Sequence, residues 1–211
     1  ARCAGAHRRW REHARNGARR CYSGTQRRAE WCDLDRCAGW RPVTQHVIFS
    51  HGKDSEPWGR KILALADTAR AAGCSVESVD YRGIDAVERR LEKLLSCGRA
   101  SAPAPVLVGS SLGAWLSLAA AERLAARALF LMAPAVGLEP LLPPLPTLPA
   151  IDACPTVIVH GWRDEIVPCE HALRFAAERR ATLHVVDDDH RLHASTPQLQ
   201  RWLAELLVSS S

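Results

Sequence analysis

The run Gly109-Ser110-Ser111-Leu112-Gly113 sits between the apolar stretch Pro105–Val108 and the helix-forming stretch Ala114–Ala121. It constrains this chain more than any other feature. An apolar strand that turns within a few residues into a helix belongs to a parallel β/α fold. A turn this tight leaves no room for side chains on either side of its centre and forces the central residue into a strained backbone region. Gly109 and Gly113 flank Ser111 at those points. The pattern reads as a G-x-S-x-G elbow that holds a serine hydroxyl above the sheet.

The rest of the body repeats the same grammar. Apolar runs at 45–50, 75–79, 105–108, 128–132, 155–159 and 182–186 alternate with helical patterns. The helices are expected from Pro57 to about Ala72, from Ile84 to about Ser96, and from the elbow to about Ala126. Two more are expected from about Cys169 to Arg179 and from Pro197 to about Leu207. Six short apolar strands separated mostly by helices imply a doubly wound, mainly parallel six-stranded α/β sheet. A strand order of 2-1-3-4-5-6 would bring the loop Ser50-His51-Gly52-Lys53 beside the elbow, where such sheets bind ligands.

Charge divides the chain. Residues 1–42 carry eleven arginines against four carboxylates, a net +7, while the remainder holds 17 basic and 19 acidic residues, a net −2. The body therefore has no electrostatic reason to bind nucleic acid, and any such contact would fall to residues 1–42. That segment shows no helical or strand period. Three readings of it compete: a basic tail, a small metal site using Cys21, Cys32, Cys37, His7 and His13, or upstream translation without selected structure. The cysteine spacing lacks paired knuckles, and a folded body beginning near Val43 does not need the segment, so the third reading is preferred. The expected organisation is a basic Arg- and Cys-rich extension over 1–42 and one folded domain over 43–211.

No apolar run approaches the length of a membrane span, and the first residues lack the apolar core of a secretory signal. Cys74, Cys97, Cys154 and Cys169 are scattered through the body without a C-x-x-C pair and are expected to be reduced. A cytoplasmic location with no membrane partner is expected. Oligomeric state is not legible.

A serine hydroxyl needs a general base, and a histidine base needs an acid that fixes its tautomer. In this architecture the chain order is serine, acid, histidine. Asp164 follows the fifth strand, within His160-Gly161-Trp162-Arg163-Asp164. His190 follows the sixth, within Asp187-Asp188-Asp189-His190-Arg191-Leu192-His193. Asp164 is the expected acid and His190 the expected base, with His193 as the rival base. The oxyanion is expected to be held by the backbone amides of Leu112 and Lys53. No metal cluster and no phosphate-binding Gly-rich loop is apparent, so neither metal nor cofactor is expected.

The body resembles the compact bacterial esterase-like group of α/β-hydrolases over roughly residues 44–208. The likeness is carried by His51-Gly52-Lys53-Asp54-Ser55-Glu56-Pro57-Trp58-Gly59, by the elbow, by His160 to Pro168, and by Asp188-Asp189-His190-Arg191-Leu192. It implies a minimal α/β-hydrolase fold without a cap domain, with the acid at the position of Asp164 and the base at that of His190. Two departures stand out. No antiparallel strand pair precedes the His-Gly strand, and Ala114 replaces a second glycine after the elbow.

The Pro-rich stretch 134–149 is expected to form a short apolar flap over the serine, with a stiff surface connection as the alternative. The expected substrate pocket comprises His51, Trp58, Trp115, Leu138 and Leu141. The expected activity is cleavage of a small-molecule carboxylic ester or thioester. The alternatives are an amidase or peptidase using the same three residues, and a non-catalytic binding protein on the same fold.

Overall fold

The computed structural model describes residues 45–210 except 102–103, 139–140, 147 and 151. The extension over 1–42 and the boundary at 43 lie outside the described residues.

Six strands, β1 (His46–Ser50), β2 (Ser75–Val79), β3 (Val106–Ser110), β4 (Ala128–Met132), β5 (Thr156–Gly161) and β6 (Thr182–Val186), form one sheet. Its order is β2-β1-β3-β4-β5-β6, and all five pairings are parallel. Five helices connect or follow them: α1 (Arg60–Ala71), α2 (Val87–Arg99), α3 (Leu112–Ala120), α4 (Cys169–Arg179) and α5 (Thr196–Ser209).

Strand side chains alternate between the two faces, and each face builds its own core. Ile48, Leu107, Leu129, Leu131 and Ile158 pack with α2, α3 and α4. Val47, Phe49, Val106, Val108, Phe130 and Val159 pack with α1 and α5 on the opposite face. The central strands are apolar throughout because both of their faces are covered. Cys74 and Cys154 are buried free thiols that fill space in these layers, and Cys169 is a buried free thiol at the start of α4. Among the described residues no helix is long and apolar enough to cross a membrane.

Four helix boundaries differ from the expectation. α1 begins at Arg60 rather than Pro57, because Gly59 is extended and its amide closes a turn on the Glu56 carbonyl. α2 begins at Val87 rather than Ile84, because Gly83 has φ +73° and the Ile84 amide bonds back to Tyr81. It also runs through Gly98, where any Cβ would strike the Leu124 side chain, so this glycine serves packing and does not stop the helix. α3 ends at Ala120 rather than near Ala126, in turns that include Ala125 at φ +46°.

Candidate active site

Each pole of the site comes from a loop at the carboxyl edge of the sheet. β3 ends at Ser110, and Ser111 adopts φ 55°, ψ −121° before α3 begins. A non-glycine residue is rarely found there and needs surrounding structure to hold it. The Ser111 amide donates to the Met132 carbonyl at 2.9 Å, and its carbonyl accepts from Ala114 and Trp115 at 3.0 and 3.2 Å. Both elbow glycines are required by close approach. A Cβ on Gly109 would enter the backbone of Gly113 and Ala114, and one on Gly113 would enter the Ser50 carbonyl. A Cβ on Gly52 would lie 3.4 Å from Ser111 Cβ, so the loop after β1 lies against the elbow.

Asp164 stands in the loop after β5. Its Oδ1 accepts the amides of Ile166 and Val167 at 2.9 and 2.8 Å, and its side chain is buried. Burial pushes the carboxyl pKa up, but bonding from His160, His190, Val167 and Ile166 outweighs it and holds the group well below the usual carboxylate range.

His190 is presented by a self-bonded loop after β6. Asp188 accepts the amides of Asp189 and Ser195, both at 2.8 Å, and Asp189 Oδ1 accepts the Arg191 amide at 2.8 Å. Buried Leu192, at φ 54°, anchors the far side. The β5 loop is locked to this one, since the Arg163 amide donates to the Asp188 carbonyl at 3.0 Å. A Cβ on Gly161 would collide with that same carbonyl.

The three loops bring Ser111, His190 and Asp164 into one hydrogen-bonded chain. His190 Nδ1 lies 2.7 Å from Asp164 Oδ2, and His190 Nε2 lies 3.0 Å from Ser111 Oγ. The ionised carboxylate only accepts, so Nδ1 carries the proton and Nε2 is left to accept from the serine hydroxyl. This is the arrangement in which an imidazole can take a serine proton.

The remaining predicted residues divide. The Leu112 amide sits at the first position of α3, where no intrahelical acceptor exists. Among the described residues neither it nor the Lys53 amide donates to a protein acceptor. His193 is exposed, and its carbonyl accepts from Thr196 at the start of α5. His51 is 1% exposed; its Nδ1 donates to the Gly52 carbonyl at 2.8 Å and its Nε2 accepts the Tyr81 amide at 3.1 Å. Its ring is spent on shaping the loop and offers no edge to a ligand.

The cleft beside His190, about 380 Å³, is lined by Arg163, Glu165, Ile166, Asp189 and Arg191. None of the five expected pocket residues lines it. Trp115 is buried and borders a separate apolar crevice of about 240 Å³ with Val87, Leu91, Pro143 and Pro144. Trp58 is exposed with the Arg70 guanidinium over its ring. Leu138, with Leu142, Leu145 and Leu148, packs against the core, whereas Leu141 is 80% exposed. The described part of the Pro-rich stretch is therefore a strap packed on the body: apolar area beside α2 and α3 draws the leucines down.

Sequence reasoning passed over Arg163, Glu165, Ile166 and Arg191 as cleft residues, and Lys61 altogether. The signal at Lys61 was its place four residues before Leu65 and eight before Ala69, on the apolar stripe of α1.

The sequence profile of the Alpha/beta hydrolase family matches residues 47–208. A crystal structure from Xanthomonas campestris pv. campestris, of a protein assigned to the alpha/beta hydrolase superfamily, is 39% identical and superposes with a TM-score of 0.73. That match covers 79% of this chain and 99% of the other. Est1E from Butyrivibrio proteoclasticus has a TM-score of 0.65 at 20% identity, covering 80% of this chain and 88% of its own. XC6422 from Xanthomonas campestris, described as an a/b serine hydrolase without lid, has a TM-score of 0.62 at 22% identity, with coverage of 78% and 82%. The last two are similar in fold alone. Among curated protein sequences none matches the chain. With more than half its length matched by the family profile, and 79% of it shared with a crystal structure at 39% identity, the chain belongs to the alpha/beta hydrolase family.

Proposed function

We propose that this protein is a serine hydrolase cleaving a small carboxylic ester or thioester through an acyl-enzyme. The observation that carries the reading is the unbroken chain from Ser111 Oγ through His190 to Asp164, at 3.0 and 2.7 Å, on a serine held at φ 55°.

Ser111 Oγ attacks the carbonyl carbon while His190 Nε2 takes the hydroxyl proton. The carbonyl π pair moves to oxygen, and the oxyanion is received by the amides of Leu112 and Lys53. Asp164 orients the ring and stabilises the imidazolium without taking its proton. Collapse of the tetrahedral intermediate breaks the bond to the leaving alkoxide or thiolate, which His190 protonates. Water, deprotonated by the same nitrogen, then attacks the acyl-enzyme and frees Ser111. The open cleft that His190 lines offers leaving group and water an approach to the base.

The test is fluorophosphonate labelling of the full chain beside Ser111→Ala and His190→Ala. Labelling of the wild type alone supports the reading and justifies a screen of acyl esters and thioesters by chain length. A folded wild type that resists labelling overturns it.

A further inference from the structure

Lys61 is the second residue of α1 and faces inward with Ile62, Leu65, Ala66 and Ala69. It is only 8% exposed. Burying an ammonium is costly unless it is paired and hydrogen-bonded, and a leucine would fill this stripe position without that cost. The proposed mechanism makes no use of Lys61, so its burial calls for a separate account.

The ammonium reaches between two loops. Nζ donates to Ser110 Oγ at 3.2 Å and to the Arg191 carbonyl at 2.8 Å. Ser110 immediately precedes Ser111, and Arg191 immediately follows His190. One side chain therefore ties the neighbour of the candidate nucleophile to the neighbour of the candidate base. Among the described residues the other hydrogen bond joining those two segments is Ser111–His190 itself, the bond along which the serine proton is transferred and which is therefore made and broken during reaction.

The surroundings suit a retained cation. Burial drives the Lys61 pKa down to about 8, while the carboxylates of Asp188, Asp189 and Asp164 act in the opposite direction. Even the neutral amine would keep two N–H donors, enough for both acceptors.

We propose that Lys61 is a positioning residue that fixes the separation of Ser111 and His190 by strapping Ser110 to the Arg191 carbonyl. It touches no reacting atom. Its effect is on how often the serine hydroxyl and Nε2 stand in line, so it acts on turnover and leaves substrate binding alone.

This inference rests on the serine-hydrolase reading, and its test separates the two. The full-length wild type, Lys61→Met, Lys61→Arg, Ser110→Ala and the Lys61→Met/Ser110→Ala double variant are labelled with a fluorophosphonate and assayed on 4-nitrophenyl acetate, with circular dichroism as the check on folding. Folded Lys61→Met is expected to label roughly ten- to a hundredfold more slowly, with kcat falling in step and KM changed by less than about twofold. Lys61→Arg, which keeps the donors, is expected to recover most of the rate. Ser110→Ala is expected to cost about threefold, having lost one of the two bonds. The double variant should be no slower than Lys61→Met, because both changes remove the same contact. A folded Lys61→Met within about twofold of wild type overturns the strap, as does a double variant whose loss is the product of the two single losses. Should Lys61→Met not fold, Ser110→Ala decides, and a wild-type labelling rate there overturns the proposal. A folded wild type that does not label removes the serine-hydrolase reading and the strap together; labelled wild type beside equally labelled Lys61→Met removes the strap alone.

Discussion

His160 Nε2 stands 3.1 Å from Asp164 Oδ2, the oxygen that His190 Nδ1 approaches at 2.7 Å. The nearer acceptor for His160 is the Val167 carbonyl at 2.8 Å. A carbonyl only accepts, so His160 is the Nε2–H tautomer, and its proton lies beside the carboxylate. Asp164 is thus enclosed by two histidine N–H groups and two backbone amides. The carboxylate cannot rotate without breaking bonds on every side, and this rigidity defines how His190 is aimed.

Replacing Asp164 by Asn preserves shape but presents a donor where His190 needs an acceptor, which favours the tautomer with Nε2 protonated. Nε2 can then no longer take the serine proton. The expected result is a fall in kcat on the order of 10⁴-fold with a folded protein, read from steady-state kinetics and circular dichroism.

His160→Ala removes a fully buried ring and leaves the Val167 carbonyl and one side of Asp164 without a donor. The expected cost is about 2–4 kcal/mol in urea unfolding, the sum of a cavity and an unsatisfied acceptor. A loss below about 0.5 kcal/mol would show that the ring does not support the loop.

Asp164 also sets an acid limit on stability. Its carboxyl titrates below the ordinary value in the folded chain, so the unfolded chain binds the proton first as pH falls. The contribution is complete above the unfolded pKa of about 3.9 and is lost progressively below it. Thermal midpoints measured between about pH 5 and pH 3 should fall less steeply in Asp164→Asn than in wild type. Equal slopes would contradict the assigned shift.

Gly113→Ala is expected to abolish the native fold or lower its thermal midpoint sharply. The new methyl would enter the Ser50 carbonyl on β1 and crowd the His51 carbonyl beside it, and backbone atoms of this kind cannot swing aside as a side chain can. A substitution this small that destabilises by more than about 3 kcal/mol is a mark of steric conflict with backbone. A stable Gly113→Ala variant would show that the elbow relaxes.

The order of strands and helices was legible because each of its causes acts over a few residues. Apolar runs of strand length, glycines at the elbow, and loops that follow strands are written locally, and parallel winding then orders the sheet. Ser111, Asp164 and His190 could be named for the same reason: each stands just past a strand, at the one edge where such sheets gather their loops. The two helix starts misjudged at Pro57 and Ile84 turned on Gly59 and Gly83, whose backbone dihedrals a hydropathy pattern does not encode. The Pro-rich strap and Trp115 went to the core because apolar composition alone does not say which surface an apolar side chain will cover. Only the tertiary structure decided that Lys61 would reach from α1 to both Ser110 and Arg191. Those contacts join segments far apart in the chain. Their distances follow from strand register and from helix packing across the sheet, and no local pattern carries either.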